Sequence, residues 1–507
     1  MGVVVTYIRK SVLGAGAPWT KDVLWYARAV GVMMKRPVAD KTSWAYLAAM
    51  HGFLPPLWIS KGLIKNTDPL PAQSERDVYW NQCQHQSWYF LPWHRSYLLS
   101  FEAIVRAAVV SIGGPADWAL PYWNYSADDA NALKIPKPFL DKKLPGGNDP
   151  NPLYIAARYG SQVWPEDASL VGRLDDHDFE GIDPSQGGGQ TGVGGPRTPF
   201  NHGGGYEGLI EAAPHDLVHV DVGGRGGLMS DPRTAGYDPI FWVHHANIDR
   251  LWAVWNKLDA RNKNPDDAAW KNGPADRAFA FFGAKKEPIP SKPGQVVNTL
   301  ALGYDYDDTS SPFPPDRSRR SARLSSLADA AEPADLPEHA PAVARETELL
   351  GANSAPLSLG LSEAVAEVPL AAKPAERLKK SFSRQAMLAS TPGEPDRVFL
   401  HLDNIKGDNG AAVFEVTVEP ATDGGQDKAV PVGRFSLFGL ETATDEAGAD
   451  GGQGLNKVLE VTQAIDALHI DADDLSKALR VRITARNNVE AQDDIVVGQV
   501  SFTRQSG

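Results

Sequence analysis

The sequence predicts a two-domain protein: a mainly α-helical N-terminal domain, built as a four-helix bundle with long loops, and a C-terminal β-sandwich. Three observations lead to this prediction. Apolar residues recur with helical spacing in the first 308 residues, apolar and polar residues alternate from about residue 396, and the stretch between them is poor in aromatic residues. A chain of 507 residues is also too long for one ordinary domain.

Four segments of the first domain are predicted to form the helices of the bundle. The first runs from Ser43 to a stop at Gly52, and the second has Pro92 in its first turn. The third begins at Pro214 and the fourth at Pro239. Each segment carries or adjoins histidines, and inward-facing polar side chains of helical bundles commonly form metal sites.

The remainder of the chain is predicted to be a linker followed by a second domain. Residues 309–395 are rich in Pro, Ser and Ala and include the basic run Arg317–Arg323. Such a stretch buries too little apolar area to offset its ordering entropy unless it packs on a neighbour, so we interpret it as a linker, with short docked helices as the alternative. Residues 396–507 contain five alternating segments separated by Gly- and Asp-rich turns, which predict the β-sandwich. We therefore place the domains at 1–308, 309–395 and 396–507.

Composition and charge exclude several classes of function. The formal net charge of −13 argues against a nonspecific nucleic-acid binder and against attachment to an anionic membrane. No long apolar run predicts a transmembrane helix, and the N-terminus lacks the pattern of a secretory signal. The single cysteine, Cys83, rules out an internal disulfide and is compatible with a reducing cytosol. A cytoplasmic protein is the expectation.

The third and fourth helices are predicted to contribute one set of three imidazoles. His215 and His219 are four residues apart, so on a helix they share a face and can bind one metal ion. His244 and His245 are neighbours, separated by about 100° around the helix axis. Since only one of them faces the same centre easily, we choose His245.

A second set comes from the first two helices and the loop between them. His85 and His94 are nine residues apart, which places them on opposite faces if both lie on one helix. We therefore expect His85 in the loop before Pro92 and His94 on the helix itself. His51, at the end of the preceding helix, completes the set.

Six imidazoles with almost no carboxylate in ligand spacing favour a pair of copper ions. Imidazole suits Cu, Zn, Fe and Ni, whereas carboxylate favours harder ions. Di-iron bundles use Glu and Glu-x-x-His motifs, which these helices lack. Zinc is the rival, because His215 to His219 resembles the zincin pattern His-Glu-x-x-His. However, Asp216 replaces the catalytic Glu, and a zinc site leaves the other histidine-rich segments unexplained.

The histidine-rich stretches resemble the copper motifs of type 3 copper proteins, the superfamily of tyrosinases, catechol oxidases and hemocyanins. The stretch from His85 through His94 to Glu102 is similar to the first motif. Residues 214–219, Met229 and residues 238–252 are similar to the second. The resemblance covers roughly residues 40–308. It implies two sets of copper ligands, His51, His85 and His94 for one ion and His215, His219 and His245 for the other, with O2 as co-substrate.

The resemblance also implies roles for three residues beside these ligands. Cys83 stands two residues before His85, where some family members form a thioether between the cysteine and the ligand histidine. Glu211 resembles the residue that holds a water near the second copper and helps to bind phenolate. Asp216 departs from the Asn that often accompanies monophenol hydroxylation. A carboxylate at this position either acts as the base or repels phenolate.

Two further features extend the resemblance to the rest of the chain. Tyr304 and Tyr306 resemble the Tyr-x-Tyr motif that closes the catalytic domain. The β-rich tail resembles the C-terminal domain that covers the copper site of plant and fungal polyphenol oxidases and keeps them latent. The implied function is oxidation of phenols or catechols to ortho-quinones, in a latent form. The alternatives are a catechol oxidase without hydroxylase activity and a hemocyanin-like O2 carrier.

Overall fold

The structure, a computed structural model, describes residues 6–14, 18–181, 191–310, 346–381, 396–422, 425–446, 451–471, 478–487, 489–490 and 492–506. The chain divides into two compact units. The helical unit comprises the chain up to residue 312, apart from residues 181–191 and 204–206. These two short segments and residues 313–507 form the second unit, here called the β-unit.

The described part of the helical unit contains helices of very different lengths, joined by long loops. They are α1 (Lys21–Met33), α2 (Trp44–His51), α3 (Pro55–Ser60), α4 (Gln73–Tyr79), α5 (Phe90–Ser111), a π-helical turn (Glu211–Asp216), α6 (Leu217–Gly223), α7 (Pro232–Ala235), α8 (Pro239–Leu258) and α9 (Ala268–Asn272). The four histidine-bearing helices that the sequence predicts are all present. Their arrangement as a four-helix bundle stays a prediction.

Local signals explain where these helices begin and end. The Ser43 side chain accepts a hydrogen bond from the backbone N–H of Tyr46 and caps α2, and Asp238 caps α8 in the same way. Gly52 ends α2 with extended backbone, so the left-handed cap typical of a helix-terminating glycine is absent. Instead, a Cβ at Gly52 would lie 2.4 Å from the carbonyl oxygen of Pro232. Gly52 is required because the backbone of α7 approaches it closely.

The two ends of the helical unit meet in a buried network of charges. Strand β1 (Tyr7–Arg9) pairs in parallel with β2 (Tyr304–Tyr306). The hydroxyls of Tyr304 and Tyr306 both donate to Asp249 of α8, at 2.7 and 2.5 Å. Burial raises the pKa of Asp249, but Arg95 and Arg9 outweigh this effect and hold the pKa below its usual value. The predicted closing motif thus anchors the helix that carries His245.

The described part of the β-unit consists of two antiparallel sheets that share one apolar core. Its strands are β3 (Thr347–Ala352), β4 (Leu357–Leu359), β5 (Ala364–Pro369), β6 (Arg397–Lys406), β7 (Val413–Pro420), β8 (Val430–Ser436), β9 (Leu455–Glu460), β10 (Ala478–Asn487) and β11 (Ile495–Gln505). One sheet has the order β5-β10-β7-β8. The other has the order β3-β11-β6-β9, with β4 also paired to β11. Helices α10 (Ala372–Ser381), α11 (Leu440–Thr444) and α12 (Thr462–Asp471) complete the unit.

Alternation along the strands fixes which side chains enter this core. Leu479, Val481 and Ile483 of β10 are buried, and they lie opposite Val368, Ala366 and Ala364 of β5. A shift of one residue would expose this whole apolar row, so the register is strongly specified. The C-terminal β-sheets that the alternating pattern predicts are therefore present.

One boundary of the sequence analysis is wrong. The predicted linker, 309–395, includes strands β3, β4 and β5 and helix α10, which pack in the sandwich from residue 346 onward. These strands are short, and only β5 alternates clearly between buried and exposed residues. The basic run Arg317–Arg323 lies outside the described residues. Among the described helices, none is long and apolar enough to cross a bilayer.

Candidate metal centre

The elements of the helical unit bring the predicted histidines to one place. His51 is the last residue of α2, His94 lies in the second turn of α5, and His85 lies in the loop between α4 and α5, as the sequence predicts. The ring centroids are 5.2 Å apart for His51 and His85, 5.7 Å for His51 and His94, and 5.4 Å for His85 and His94. The first predicted set is therefore a compact cluster.

The second predicted set is equally compact. Ala213 has extended backbone inside the π-helical turn, so the helical run into α6 starts again at Pro214. His215 and His219 then share a face, with ring centroids 4.5 Å apart. His245 of α8 lies 4.9 Å from the ring of His215 and 5.4 Å from that of His219.

The two sets adjoin each other. The rings of His94 and His245 are stacked with their centroids 4.5 Å apart. One ring nitrogen from each of His51, His94 and His245 lies within 4.8 Å of the other two. The two predicted sets therefore form one continuous cluster of imidazoles.

Hydrogen bonds orient most of these rings. The Nδ1–H groups of His51, His94 and His219 donate to the backbone carbonyls of Pro232, Phe90 and Met229, at 2.9, 2.8 and 2.7 Å. Each carbonyl fixes the proton on Nδ1 and turns Nε2 toward the middle of the cluster, as in many metal-ligating histidines.

The ring nitrogens that face the cluster are spaced as ligands of a metal ion. The Nε2 atoms of His51 and His94 are buried and have no hydrogen-bond partner among the described residues. The Nε2 atoms of His219 and His245 are 3.2 Å apart. Two nitrogens at about 2.0 Å from one ion in tetrahedral geometry lie roughly 3.3 Å apart. This agreement supports His245 as a ligand, and imidazoles without carboxylates suit copper.

Burial keeps these imidazoles in the form that binds metal. Desolvation lowers the pKa of His51 to about 3, and it also lowers the pKa of His94, His219 and His245 well below the ordinary value. The neighbouring imidazoles add to this effect, since two adjacent rings cannot both carry a charge cheaply. Neutral imidazole is the ligand form, so the cluster is prepared for metal at neutral pH.

The two carboxylates singled out by the sequence are both buried at the cluster. Glu211 accepts hydrogen bonds from the backbone N–H of Gln86, at 2.8 and 3.0 Å to its two oxygens. Gln86 follows His85 directly and has the unusual φ of 52°, so its backbone is held in a left-handed conformation beside the carboxylate. Asp216 accepts from Nδ1 of His215 at 2.8 Å, and its carboxylate therefore orients a predicted ligand.

The structure adds two histidines to this region: His244, which the sequence analysis set aside in favour of His245, and His202, which it did not consider. His244 is buried beside the second set, and its ring nitrogens have no hydrogen-bond partner in the described structure. The adjacent pair of histidines was the signal for it. His202 lies next to Cys83, with Nδ1 3.1 Å from the sulfur. No spacing pattern connects residues 83 and 202, so only the fold reveals this contact.

Comparisons with known proteins agree with this geometry. The model of the common central domain of tyrosinase matches residues 41–154 and 184–258, and a domain of unknown function (DUF7868) matches residues 346–505. Tyrosinase HcTyr1 of Hahella sp. (strain CCB-MM4) is 34% identical over 488 residues, which is 94% of this chain and 96% of that protein. A chloroplastic polyphenol oxidase of Vitis vinifera is 27% identical in an alignment that covers 60% of this chain and 53% of that enzyme.

Solved structures share the fold at low sequence identity. The alignment with the structure of latent apple tyrosinase covers 99% of this chain and 98% of the tyrosinase chain, with a TM-score of 0.59 and 19% identity. The alignment with latent aurone synthase covers 99% of this chain and 90% of the synthase chain, with a TM-score of 0.57 and 19% identity. Both alignments extend over nearly the whole length of this chain.

Proposed function

Since the chain belongs to the tyrosinase family, we propose that it oxidises phenols or catechols to ortho-quinones with O2. Membership makes it a type 3 copper oxidoreductase with a pair of copper ions as cofactor. Oxidation of phenolic compounds in general follows from the family. The ortho-quinone product, the ligand assignment and the latent state are proposals.

One observation carries the proposal: six buried imidazoles converge from four helices, a π-helical turn and a loop, and carbonyl or carboxylate groups orient most of them. His51, His85 and His94 would hold one copper ion, and His215, His219 and His245 the other. Bound there, the copper pair would supply the binding of O2, the ortho-hydroxylation of a phenol and the two-electron oxidation of a catechol to the quinone. The protein positions the ions and excludes water from them.

The residues around the cluster suit a phenolic substrate. A free phenol has a pKa of about 10, so only about one molecule in a thousand is ionised at neutral pH. Glu211 is buried next to the His85 loop, where a carboxylate or a water that it holds would take the phenol proton. The rings of Phe241 and Phe90 lie 4.1 and 4.8 Å from those of His245 and His215, and they form apolar walls.

A catechol oxidase without monophenol hydroxylase activity is the second candidate. The observation that favours it is the buried carboxylate of Asp216, hydrogen-bonded to a ring that would bind the second copper. A negative charge there disfavours an approaching phenolate, whereas a neutral catechol is less affected. A hemocyanin-like carrier would bind O2 without any turnover of catechol. Oxygen uptake with a monophenol and with a catechol distinguishes all three functions.

We also propose that the chain is produced in a latent form. Two features support this proposal: the β-unit follows the helical unit in the chain, and the similar solved structures of apple tyrosinase and aurone synthase are described as latent. Cleavage within residues 311–345, which contain the basic run Arg317–Arg323, should then raise activity.

Limited trypsin digestion tests latency. Catechol oxidation by the full chain is compared with that of the digested protein, with copper content measured in both. A rise of several-fold at constant copper content is the expected result. Unchanged or lower activity in a separated, fully copper-loaded helical unit would remove the latency proposal and leave a constitutive enzyme.

A further inference from the structure

The sulfur of Cys83 lies close to three histidines, two of which are predicted copper ligands. His202, which the sequence analysis gives no role, places Nδ1 3.1 Å from Sγ of Cys83 and 2.9 Å from the carbonyl oxygen of the same residue. On another side, one ring nitrogen each of His51 and His85 lies within 4.8 Å of the sulfur. Cys83 itself is fully buried.

The carbonyl oxygen determines what His202 offers the sulfur. A carbonyl oxygen only accepts hydrogen bonds, so a nitrogen at 2.9 Å from it must carry the proton. The Nδ1–H group is therefore shared between the carbonyl oxygen and Sγ, as a three-centre hydrogen bond. The sulfur accepts this bond, and its own hydrogen points elsewhere.

His202 is held in this position by its neighbour in the chain. Asn201 donates from its backbone N–H to the side chain of Gln84, at 2.9 Å, and from its side-chain amide to the carbonyl of His85, at 2.9 Å. In return, the backbone N–H of His85 donates to the carbonyl of Asn201, at 3.3 Å. The segment 201–202 is thus fastened along residues 83–85, so the contact between His202 and Cys83 follows from several independent bonds.

A second observation places the sulfur of Cys83 beside the proposed copper ligands. His51 is fully buried, and its Nε2 has no hydrogen-bond partner among the described residues. This nitrogen belongs to the same group as Cys83 Sγ and a nitrogen of His85. A sulfur fixed beside imidazoles that would hold copper is close to the oxidant that a carbon–sulfur bond requires.

We propose that His202 is a positioning residue for a cross-link between Cys83 and His85, an inference that rests on the proposed function. In this step, the S–H bond of Cys83 and one ring C–H bond of His85 break, and a C–S bond forms. The two hydrogens, as two protons and two electrons, convert one O2 to hydrogen peroxide. The N–H of His202 holds the sulfur against the His85 ring, which favours this bond over other fates of the thiol.

The test uses the full chain purified without copper, then exposed to copper and dissolved O2. Intact mass follows the loss of two hydrogens, alkylation in denaturant counts the remaining thiol, and peptide mapping locates the bond. The variants His202→Asn and His202→Leu form a matched pair. Both side chains are similar in size, but only asparagine offers an N–H donor near the position of Nδ1. His202→Ala replaces the leucine variant if that chain does not bind copper.

We expect His202→Leu to form the cross-link about tenfold more slowly than the unsubstituted chain, as loss of one hydrogen bond implies. His202→Asn should restore most of the rate, and copper content should be the same in all three. Cross-linking of the leucine variant at the full rate would overturn the proposal, as would a bond that maps to His202. A copper-loaded, active chain that keeps a free thiol would overturn this inference alone. If the unsubstituted chain does not bind copper, the proposed function is refuted, and this inference with it.

Discussion

The two units of the chain bury different kinds of side chain at their centres. The core of the β-unit, as far as it is described, is made of aliphatic and phenylalanine side chains, and its buried Glu419 is paired with Arg482. The helical unit instead buries a cluster of imidazoles, several of whose nitrogens face no hydrogen-bond partner in the described residues. Burying such groups costs free energy that bound metal offsets. The described part of the β-unit also buries isolated polar atoms without a partner, such as Oγ of Ser436, but none of its described residues belongs to a group of potential metal ligands. A cluster of converging imidazoles therefore marks the functional unit.

The largest effect that this comparison predicts is loss of metal. In His219→Ala, the second copper should be lost and catechol oxidation abolished, because the proposed assignment gives each ion three protein ligands and this variant leaves two. His94→Ala should do the same at the first copper. Metal analysis by mass spectrometry and oxygen uptake measure both effects.

The matched control is a buried histidine of the other unit. His401 of the β-unit contacts Thr503 and belongs to no described group of potential metal ligands. His401→Ala should keep both coppers. Equal copper loss in the substitutions at 219 and 401 would mean that the cluster is not the metal site.

The second prediction concerns stability of the helical unit. Asp249 binds two arginines and two tyrosine hydroxyls in a fully buried network. Asp249→Ala removes the carboxylate that pairs with Arg95 and leaves Arg9 with Glu102 as its carboxylate partner. It should lower the free energy of unfolding by about 3–5 kcal/mol. All fourteen tryptophans lie in the first 270 residues, so tryptophan fluorescence during urea denaturation reports this unit selectively.

Glu419→Ala is the corresponding change in the β-unit. It also removes a buried carboxylate from an arginine, yet the tryptophan transition should move little. If Asp249→Ala leaves the fluorescence midpoint unchanged, the network does not hold the helical unit together.

A smaller effect is expected from acid on the β-unit. Burial lowers the pKa of His401 to about 4, below the ordinary value of 6.5. The folded state therefore binds fewer protons than the unfolded state, and stability falls as the pH drops from about 6.5 to 4. The loss is at most about 3 kcal/mol, at 1.36 kcal/mol per pH unit.

His401→Gln should reduce this acid sensitivity, because glutamine can still bond to Thr503 but does not titrate. Hydrogen exchange of peptides from β6 and β11, measured at pH 7 and pH 4.5, gives the readout. An equal acid-induced increase in exchange in both proteins would assign the effect to other groups.

The smallest predicted effect concerns substrate preference. Asparagine at position 216 keeps an oxygen that accepts from His215 but removes the negative charge. Asp216→Asn should therefore raise the ratio of monophenol to catechol turnover about threefold to tenfold, as roughly 1 kcal/mol of relieved repulsion implies. Steady-state rates on one monophenol and the matching catechol measure the ratio. A fall in the ratio would identify the carboxylate as the working base.

Local sequence patterns predicted the parts of the fold that depend on neighbouring residues. Helical spacing placed His215 and His219 on one face, and alternation located the long strands of the β-unit. The early strands β3 and β4 were not predicted because they are short and flanked by Pro, Ser and Ala, and their place in the sheet depends on pairing with the distant strand β11. Composition alone cannot distinguish such strands from a linker.

The site was partly predictable for the same reason. His215 and His219 stand at a spacing that a helix turns into a shared face, and Phe90 and Asp216, which orient His94 and His215, are close to them in the sequence. The other orienting groups gave no such signal. The carbonyls of Pro232 and Met229 carry no side-chain signal at all. Asn201 and His202 reach the His85 loop only because the fold returns there after more than a hundred residues. Contacts of this kind follow from tertiary structure and leave no local pattern.

The central claim is that the imidazole cluster holds a pair of copper ions that oxidise phenolic substrates with O2. Its most direct test measures copper and zinc in the purified full-length chain together with catechol-dependent oxygen uptake. The account predicts two copper ions per chain, no stoichiometric zinc, and oxygen uptake that stops when copper is removed. Stoichiometric zinc, with no oxygen uptake on any catechol, would contradict it.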